Sequence, residues 1–163
     1  MRYNSDIDMV EIFYNGVWNE WKSGELQKLI IYNYGSVVTP IELSGVYSQN
    51  SDNIILSNTQ QTQNGGVLSS KDLIKVTRYN KLIIKGNFDL TTLASSNIRI
   101  GFVSANKTSD NASDFIGEYI DYVTVADPIK TEFILDTSEI IGEYYLRISG
   151  YRASITINQI YLL

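Results

Sequence analysis

Hydrophobic and polar residues alternate along most of this chain with the period of two that is typical of β-strands. Leu82, Ile84 and Phe88 fall on one face of one such segment, and the segment from residue 97 to 104 repeats the pattern. Successive side chains of a strand point to opposite sides of a sheet, so each segment has one apolar face to bury. The pattern predicts strands throughout the chain.

Two interruptions of this alternation predict β-bulges. Gly86 lies inside the strand predicted over residues 81 to 90, at a point where the absence of a side chain makes a bend inexpensive. In the last predicted strand, Ile155 and Ile157 are two residues apart, but the next residue of the apolar pattern is Ile160, three residues after Ile157. The slip at Asn158 and Gln159 therefore predicts a second bulge.

The amino-terminal segment contains a hairpin signal. Asn15-Gly16 lies between alternating residues, and Asn-Gly is the preferred sequence of a two-residue hairpin turn. We therefore predict a β-hairpin over residues 9 to 21. A strand from Leu26 to Tyr34 follows, and a single helical turn over residues 24 to 28 is an alternative for its start.

The predicted strands indicate an all-β fold. About nine or ten strands, separated by Gly, Asp, Asn or Pro, predict an antiparallel β-sandwich of jelly-roll type with an N-terminal β-hairpin arm. Helical periodicity does not extend beyond one turn at residues 137–141. We expect an arm over residues 1–35 and the jelly-roll sandwich over residues 36–163, with long connections such as residues 105–113 at the sandwich ends.

Composition narrows the possible chemistry. The chain has no cysteine and no histidine, which excludes disulfides, thiolate metal sites and Ser-His-Asp or Cys-His catalysis. A carboxylate pair such as Glu118 and Asp121 is conceivable, but their odd spacing places them on opposite faces of a strand. Asp110 and Asp114 could bind Ca²⁺, although a solvated loop is the simpler interpretation. We expect a protein that is not an enzyme and has no cofactor.

Charge and hydropathy exclude two classes of partner. The formal net charge is −5, and no basic cluster is present, so we expect no nucleic-acid binding. The first residues lack the pattern of a signal peptide, and no apolar run approaches 18 residues. We therefore expect no membrane partner.

Two groups of aromatic residues are candidates for binding. The first contains Tyr14, Trp18, Trp21, Tyr32 and Tyr34. Aromatic rings stack on the C–H surface of sugars, but tryptophan and tyrosine are also preferred anchors at protein interfaces. Both interpretations are open, and the interface is favoured because an isolated hairpin needs a partner surface to remain ordered.

The second group contains Tyr145, Arg147, Tyr151 and Arg152 near the C-terminus. Tyr145 and Arg147 are predicted on the outward face of one strand, opposite Leu146. Arginine can bind sugar hydroxyls or carboxylates with its planar fork of donors. A solvated sheet face is the alternative, and it is the favoured interpretation.

The C-terminal half resembles a known class of fold. The segments FILDTS, EIIGEYYLRISGY and ASITINQIYLL resemble the closing strands of carbohydrate-binding-module-like jelly rolls, over about residues 79 to 163. The whole chain is similar to jelly-roll domains of bacteriophage and prophage tail, baseplate and fibre proteins. The segments that carry this resemblance are IFYNGVWNEW, IIYNYGS, NTQQTQNGGV, TRYNKLIIKGNFDL and IRIGFVS.

The resemblance implies a protein of the virion surface, assembled in the bacterial cytoplasm. Such proteins are homo-oligomers, often trimers, and they bind other virion proteins or polysaccharides of the host surface. A purely structural virion subunit and a glycan-binding accessory module of a bacterial enzyme are the alternatives. The resemblance assigns no binding residue, because family members place their sites on different loops or faces.

Overall fold

The regular structure of this chain is almost entirely β-strand. The computed structural model describes residues 2–4, 9–14, 17–21, 28–57, 65–90, 96–104, 116–121 and 129–163. The strands are β1 (Arg2–Asn4), β2 (Met9–Tyr14), β3 (Val17–Trp21), β4 (Leu29–Asn33), β5 (Ser36–Val37), β6 (Ile41–Ser44), β7 (Tyr47–Gln49), β8 (Ile54–Ser57), β9 (Val67–Ser70), β10 (Ile74–Lys75), β11 (Lys81–Asp89), β12 (Asn97–Val103), β13 (Ile116–Asp121), β14 (Ile129–Asp136), β15 (Glu143–Tyr151) and β16 (Ser154–Leu162). A single 3₁₀ turn, η1 (Val76–Arg78), precedes β11.

Two antiparallel sheets pack against each other to form a β-sandwich. Sheet I has the order β13-β12-β15-β9-β6, and β10 also pairs with β15. Sheet II has the order β14-β11-β16-β4-β5, and β8 pairs with β16 beyond the end of β4, with β7 next to it. This arrangement confirms the all-β sandwich predicted from the sequence.

The connectivity of the C-terminal strands is of jelly-roll type. β11 pairs with β16 in sheet II, and β12 pairs with β15 in sheet I. β13 and β14 then lie at the edges of the two sheets, next to β12 and β11. The pair β12–β15 thus lies, along the sequence, inside the pair β11–β16. Each of these antiparallel pairs belongs to one sheet of the sandwich.

Sixteen strands are described, whereas the sequence predicted about nine or ten. The additional strands are short. β5 and β10 have two residues each, and β1 and β7 have three. Such strands contain too few residues to show an alternating pattern, and only pairing with a neighbour identifies them.

The core lies between the inner faces of the two sheets. The predicted apolar faces of β11 and β12 are buried, and the rings of Phe88 and Phe133 meet edge to face at 4.5 Å. Removing this apolar surface from water is the main contribution to the stability of the sandwich. The central core residues are Leu82, Ile84, Phe88, Ile98, Ile100, Phe102, Leu146, Ile148, Ile155, Ile157, Ile160 and Leu162.

The two predicted bulges lie on the two sides of β11. Gly86 and Asn87 together oppose Thr131 where β11 pairs with β14. The other bulge lies where β11 pairs with β16. Lys85 pairs with Gln159 and Gly86 pairs with Ile157, so Asn158 is the extra residue of β16. This insertion lets Ile157 and Ile160 both face the core. A Cβ atom at Gly86 would lie 1.8 Å from the carbonyl oxygen of Thr156, so only glycine fits this close approach.

The amino-terminal hairpin is present, and a further strand extends it. β2 and β3 are antiparallel, with Tyr14 opposite Val17, and β1 pairs with β2 to complete a three-stranded sheet. β4, by contrast, pairs with β16, and its residues Ile31 and Tyr32 are buried in the core. Residues 29–33, which the sequence placed in the arm, therefore belong to the sandwich because their apolar side chains complete sheet II. The division of the chain into an arm over residues 1–35 and a sandwich over residues 36–163 otherwise stays a prediction.

The predicted helical turn at residues 137–141 is a hydrogen-bonded turn. The Ile140 amide donates to the Thr137 carbonyl, and the Thr137 hydroxyl donates to the Tyr79 carbonyl at 2.8 Å. The Ser138 hydroxyl and amide both donate to Asp136, and these bonds lower the pKa of the Asp136 carboxyl. Among the described residues, no helix has the length and apolar character needed to cross a membrane.

Ser70 joins two short strands that share one neighbour. β9 and β10 both pair with β15, at Arg147–Ser149 and at Glu143–Tyr144 respectively. The Ser70 hydroxyl accepts a hydrogen bond from the Leu146 amide at 3.0 Å and donates to the Asp72 carbonyl at 2.9 Å. A side chain thus replaces the backbone acceptor that is missing between the two strands.

We expect Gly86→Ala to lower the free energy of unfolding by about 1–3 kcal/mol, the range for overpacking a close contact. The new methyl group would press on the Thr156 carbonyl and displace β11 from β16. Urea denaturation measures the change, and Asn87→Ala, at the exposed neighbouring position, is the control. Equal stability of Gly86→Ala and the parent would contradict the close approach.

We expect Ser70→Ala to cost about 1–3 kcal/mol, because it leaves the buried Leu146 amide without an acceptor. Faster hydrogen exchange of the Leu146 amide should accompany the loss of stability. Ser69→Ala, at the adjacent position on the opposite face of β9, should change neither quantity. Unchanged protection of Leu146 would show that another acceptor serves this amide.

Candidate functional site

The outer face of sheet I carries the second aromatic group predicted from the sequence. Tyr145, Arg147 and Tyr151 alternate along β15 with the buried residues Leu146 and Ile148. All three therefore lie on the same outward face, and each is partly buried. The strand thus presents two aromatic rings and a cation on one surface.

β12 adds a second arginine to this surface. Arg99 lies opposite Ser149 on β15, which places it diagonally between Arg147 and Tyr151. Diagonal neighbours on adjacent antiparallel strands have side chains about 7–8 Å apart, within the reach of long side chains. Asn97, opposite Tyr151, is 8% exposed, and its Oδ1 has no hydrogen-bond partner among the described residues.

A third arginine lies at the end of the same strand. Arg152 is in the turn between β15 and β16, with a φ of +53°, and its guanidinium carbon is 5.2 Å from the centre of the Tyr151 ring. The Ser96 hydroxyl donates to the Arg152 carbonyl at 2.7 Å and so ties this turn to the start of β12. The turn holds a cation against an aromatic ring.

We call this surface the Arg–Tyr face. It contains three of the five arginines of the chain, and two tyrosines lie between or beside them. Its members are Arg99, Tyr145, Arg147, Tyr151 and Arg152. Guanidinium groups donate in a fixed fork to carboxylate, phosphate or hydroxyl oxygens, and tyrosine rings stack on apolar surfaces. Because these side chains are partly buried against the sheet, less conformational entropy is lost when they bind a ligand.

The sequence indicated only part of this face. Alternation places Arg99 on the outward side of its strand, on the face that Ile98 and Ile100 do not share. Its position beside Arg147 depends on the pairing of β12 with β15, two strands that are far apart in the chain. Local pattern carries no information about such pairing.

The first predicted aromatic group is not brought together by the described structure. Tyr32 is fully buried, and its hydroxyl oxygen accepts a hydrogen bond from the Gly35 amide at 3.0 Å. Burial raises the pKa of the Tyr32 phenol, and the negative charge of Asp52 adds to the effect. Tyr32 is therefore a core residue and cannot stack on a ligand, which corrects its selection as a binding residue.

Tyr34 has a different environment from Tyr32. It is 57% exposed and occupies the turn between β4 and β5, where its φ is +39° and that of Gly35 is +81°. The turn belongs to sheet II, whereas the Arg–Tyr face belongs to sheet I. Tyr34 is thus an exposed ring on a separate part of the surface.

The remaining predicted residues are in the amino-terminal sheet or outside the described chain. Tyr14 is the last residue of β2, and Trp18 and Trp21 are in β3, but their side chains lie outside what the structure describes. The proposed Ca²⁺ ligands Asp110 and Asp114 also lie outside the described residues. Their roles stay predictions.

The outer face of sheet II carries a row of apolar residues that crosses four strands. Pairing aligns Ile134 with Ile83, Ile83 with Tyr161, and Tyr161 with Ile30. Ile134 is 51% exposed, and Ile83, between its neighbours, is 8% exposed. We call these four residues the apolar row.

Polar contacts border the apolar row. The Lys85 ammonium lies 3.5 Å from the Glu132 carboxylate, and the Gln159 amide donates to the Asn33 side chain at 2.7 Å. The Lys28 ammonium is 4.5 Å from the centre of the Tyr161 ring. Tyr161, and then Glu132, raise the pKa of Lys85 by stabilising its charged form. The two outer faces of the sandwich thus differ in character.

No protein-family model matches this sequence, and no curated protein matches it. The structure is similar to the K1 cleaved adhesin domain of Lys-gingipain from Porphyromonas gingivalis W83, with a TM-score of 0.44 and 13% identity over 83% of this chain and 89% of that chain. The K2 cleaved adhesin domain of Lys-gingipain gives a TM-score of 0.43 and 16% identity over 87% and 92%. The enzymatically active domain of bacteriophage CBA120 tailspike protein 4 gives 0.36 and 11% over 83% of this chain and 19% of that chain.

Proposed function

We propose that this protein is a non-catalytic binding module of a phage or phage-like particle, and that it attaches to host-surface glycan through the Arg–Tyr face. The grouping of three arginines and two tyrosines on one sheet face is the observation that carries the proposal. Arginine donors suit the oxygens of a sugar, and tyrosine rings suit its C–H surface. One face thus offers both kinds of contact that a glycan requires.

The chemistry of the Arg–Tyr face supports binding rather than catalysis. Its arginines are hydrogen-bond donors and its tyrosines offer aromatic rings, which are contacts that hold a ligand. The chain also contains no histidine or cysteine. In this proposal, the face holds and orients a glycan without changing it.

The particle setting comes from the sequence resemblance to tail, baseplate and fibre domains. In this proposal, the amino-terminal sheet β1–β3 docks onto other virion proteins, and Trp18 and Trp21 serve as anchors. The sandwich then lies on the virion surface, as one subunit of a homo-oligomer. A rigid β-sandwich is a suitable support for such a surface, because its side chains are held by the sheet.

We expect Tyr145→Ala and Tyr151→Ala each to weaken glycan binding about tenfold, which corresponds to about 1.4 kcal/mol of lost stacking. Binding of labelled protein to intact cells and to purified wall polysaccharides of candidate host bacteria measures this change. Tyr47→Ala is the matched control, because Tyr47 is an exposed tyrosine of sheet II. Its affinity should equal that of the parent.

Three results would contradict the proposed site. Equal losses in Tyr47→Ala and Tyr145→Ala would show a general effect of removing tyrosine. Loss confined to Trp18→Ala or Trp21→Ala would place the platform in the amino-terminal sheet. Absence of binding to every cell and polysaccharide in the panel would refute glycan attachment.

The apolar row favours a second candidate function, that of a structural virion subunit with no glycan ligand. Four apolar side chains in line across sheet II, with Ile134 half exposed, form a surface that a neighbouring copy could cover. Subunit contact through this face needs no ligand. It would explain why the second outer face is apolar where the first carries arginines and tyrosines.

We expect Ile134→Glu to reduce self-association at least tenfold if the apolar row forms a subunit contact, because a carboxylate would be buried there without a partner. Sedimentation velocity over a concentration series measures the association. Thr131→Glu adds the same charge to the opposite side of β14 and is the control. An unchanged association constant in Ile134→Glu would exclude this face from the contact.

A further inference from the structure

We propose that the amino-terminal sheet β1–β3 of one copy of this chain covers the apolar row of a second copy. This inference rests on the proposed function, in which the protein is a homo-oligomer and the amino-terminal sheet docks onto other virion proteins. It adds the two surfaces that meet. The apolar row crosses β14, β11, β16 and β4 on the outer face of sheet II.

The register of the amino-terminal sheet supplies a matching row. Pairing aligns Tyr3 of β1 with Val10 of β2, and Val10 with Trp21 of β3. Residues aligned across neighbouring strands belong to the same face of a sheet. We call Tyr3, Val10 and Trp21 the arm row. One face of the small sheet thus carries apolar or aromatic residues on all three of its strands.

The neighbouring register row has the opposite character. Arg2 of β1 is aligned with Glu11 of β2, and Glu11 with Glu20 of β3. Because faces alternate along a strand, these charged residues belong to the face opposite the arm row. Trp18, aligned with Phe13, belongs to that second face and is not part of the proposed contact. A small sheet buries little apolar area by itself, so the arm row needs a surface that covers it.

The two rows also agree in length. Neighbouring strands lie about 4.8 Å apart, so the arm row spans about 10 Å and the apolar row about 14 Å. Sheets that stack face to face are about 10 Å apart, with the side chains of the two inner faces in contact. The arm row therefore fits within the apolar row when the two sheets stack.

The single chain leaves one end of the apolar row open. Ile134 is 51% exposed, and its strand β14 is at the edge of sheet II. Each copy thus has one open row and one arm row, so it can give its arm row to one neighbour and accept that of another. Such a head-to-tail contact closes into a ring when the rotation between copies allows it. A trimer is one such ring.

The border of the apolar row favours an apolar partner. Lys85 forms an ion pair with Glu132, and Lys81 is aligned with Asp136 where β11 pairs with β14. Lys28 lies against the aromatic ring of the row itself. Lysines and carboxylates thus alternate along this border, which gives no single sign of charge to attract a charged partner. Three of the four residues in the row are isoleucines, which neither stack on a sugar as rings nor donate hydrogen bonds.

The test is sedimentation velocity of the full chain over a concentration series. The parent should self-associate, and Val10→Glu and Ile134→Glu should each weaken the association about tenfold, because each buries a carboxylate without a partner. The double variant should lose less than the two single losses combined, because both substitutions remove the same contact. Asn4→Glu adds the same charge to the opposite face of β1 and should leave the association unchanged.

Cross-linking identifies the copy that supplies the arm row. The chain has no cysteine, so Val10→Cys and Ile134→Cys introduce unique thiols. An isotope-labelled Val10→Cys chain, mixed with an unlabelled Ile134→Cys chain and a short bis-maleimide, should give linked dimers that contain one chain of each kind. Glu11→Cys in place of Val10→Cys should give far fewer, because residue 11 belongs to the opposite face. Linked monomers of a chain that carries both Val10→Cys and Ile134→Cys would show that each arm covers its own sandwich, which overturns the inference.

Three further results would also overturn it. A parent that stays monomeric at every concentration has no second copy to cover. Weaker association in Ile134→Glu with none in Val10→Glu would show that another surface covers the row. Equal losses in Val10→Glu and Asn4→Glu would show a general effect of charge on the small sheet. Because Ile134→Glu alters the sandwich and leaves the small sheet intact, an unfolded arm in Val10→Glu does not decide the result.

The same variants separate this inference from the proposed function. Binding of purified wall polysaccharide reports on the Arg–Tyr face, and Tyr145→Ala should reduce it without changing self-association. Absence of polysaccharide binding in a parent whose arm row still cross-links to the apolar row would refute glycan attachment and retain the contact between copies. Intact polysaccharide binding in a monomeric parent would do the reverse.

Discussion

The pairing of β11 with β16 holds this structure together. These two long strands lie side by side in sheet II, and their apolar residues supply a large part of the core. β16 also pairs on its other side with β4 and β8, so that one strand organises most of its sheet. The bulge at Asn158 lies beside the glycine at position 86 in this pairing, and the bulge changes which residues of β16 face inward.

The Arg–Tyr face depends on the same pairing, although it lies in the other sheet. β15 leads into β16 through a short turn, and the start of β12 is tied to that turn by the hydrogen bond from Ser96 to Arg152. The register of β12 against β15 is therefore linked to the register of sheet II. A one-residue slip would turn Arg99 or Arg147 toward the core, where an arginine could not be accommodated.

The two outer faces of the sandwich are chemically distinct while sharing one core. Sheet I presents arginines and tyrosines, and sheet II presents an apolar row bordered by lysine, glutamate and amide contacts. Alternation along each strand makes this possible, because the inward residues hold the fold and the outward ones are unconstrained by it. A single module can thus offer one surface to a ligand and another to a neighbouring subunit.

The sequence by itself determined the longer strands, both bulges and the amino-terminal hairpin, because alternation, phase slips and Asn-Gly turns depend on residues close together in the chain. It also indicated that Tyr145 and Arg147 share a face. Only the tertiary structure decided that Tyr32 is a core residue, that β4 belongs to sheet II, and that Arg99 lies beside Arg147. Each of these depends on which distant strands pair, and pairing is selected by the burial of the whole core rather than by any local pattern.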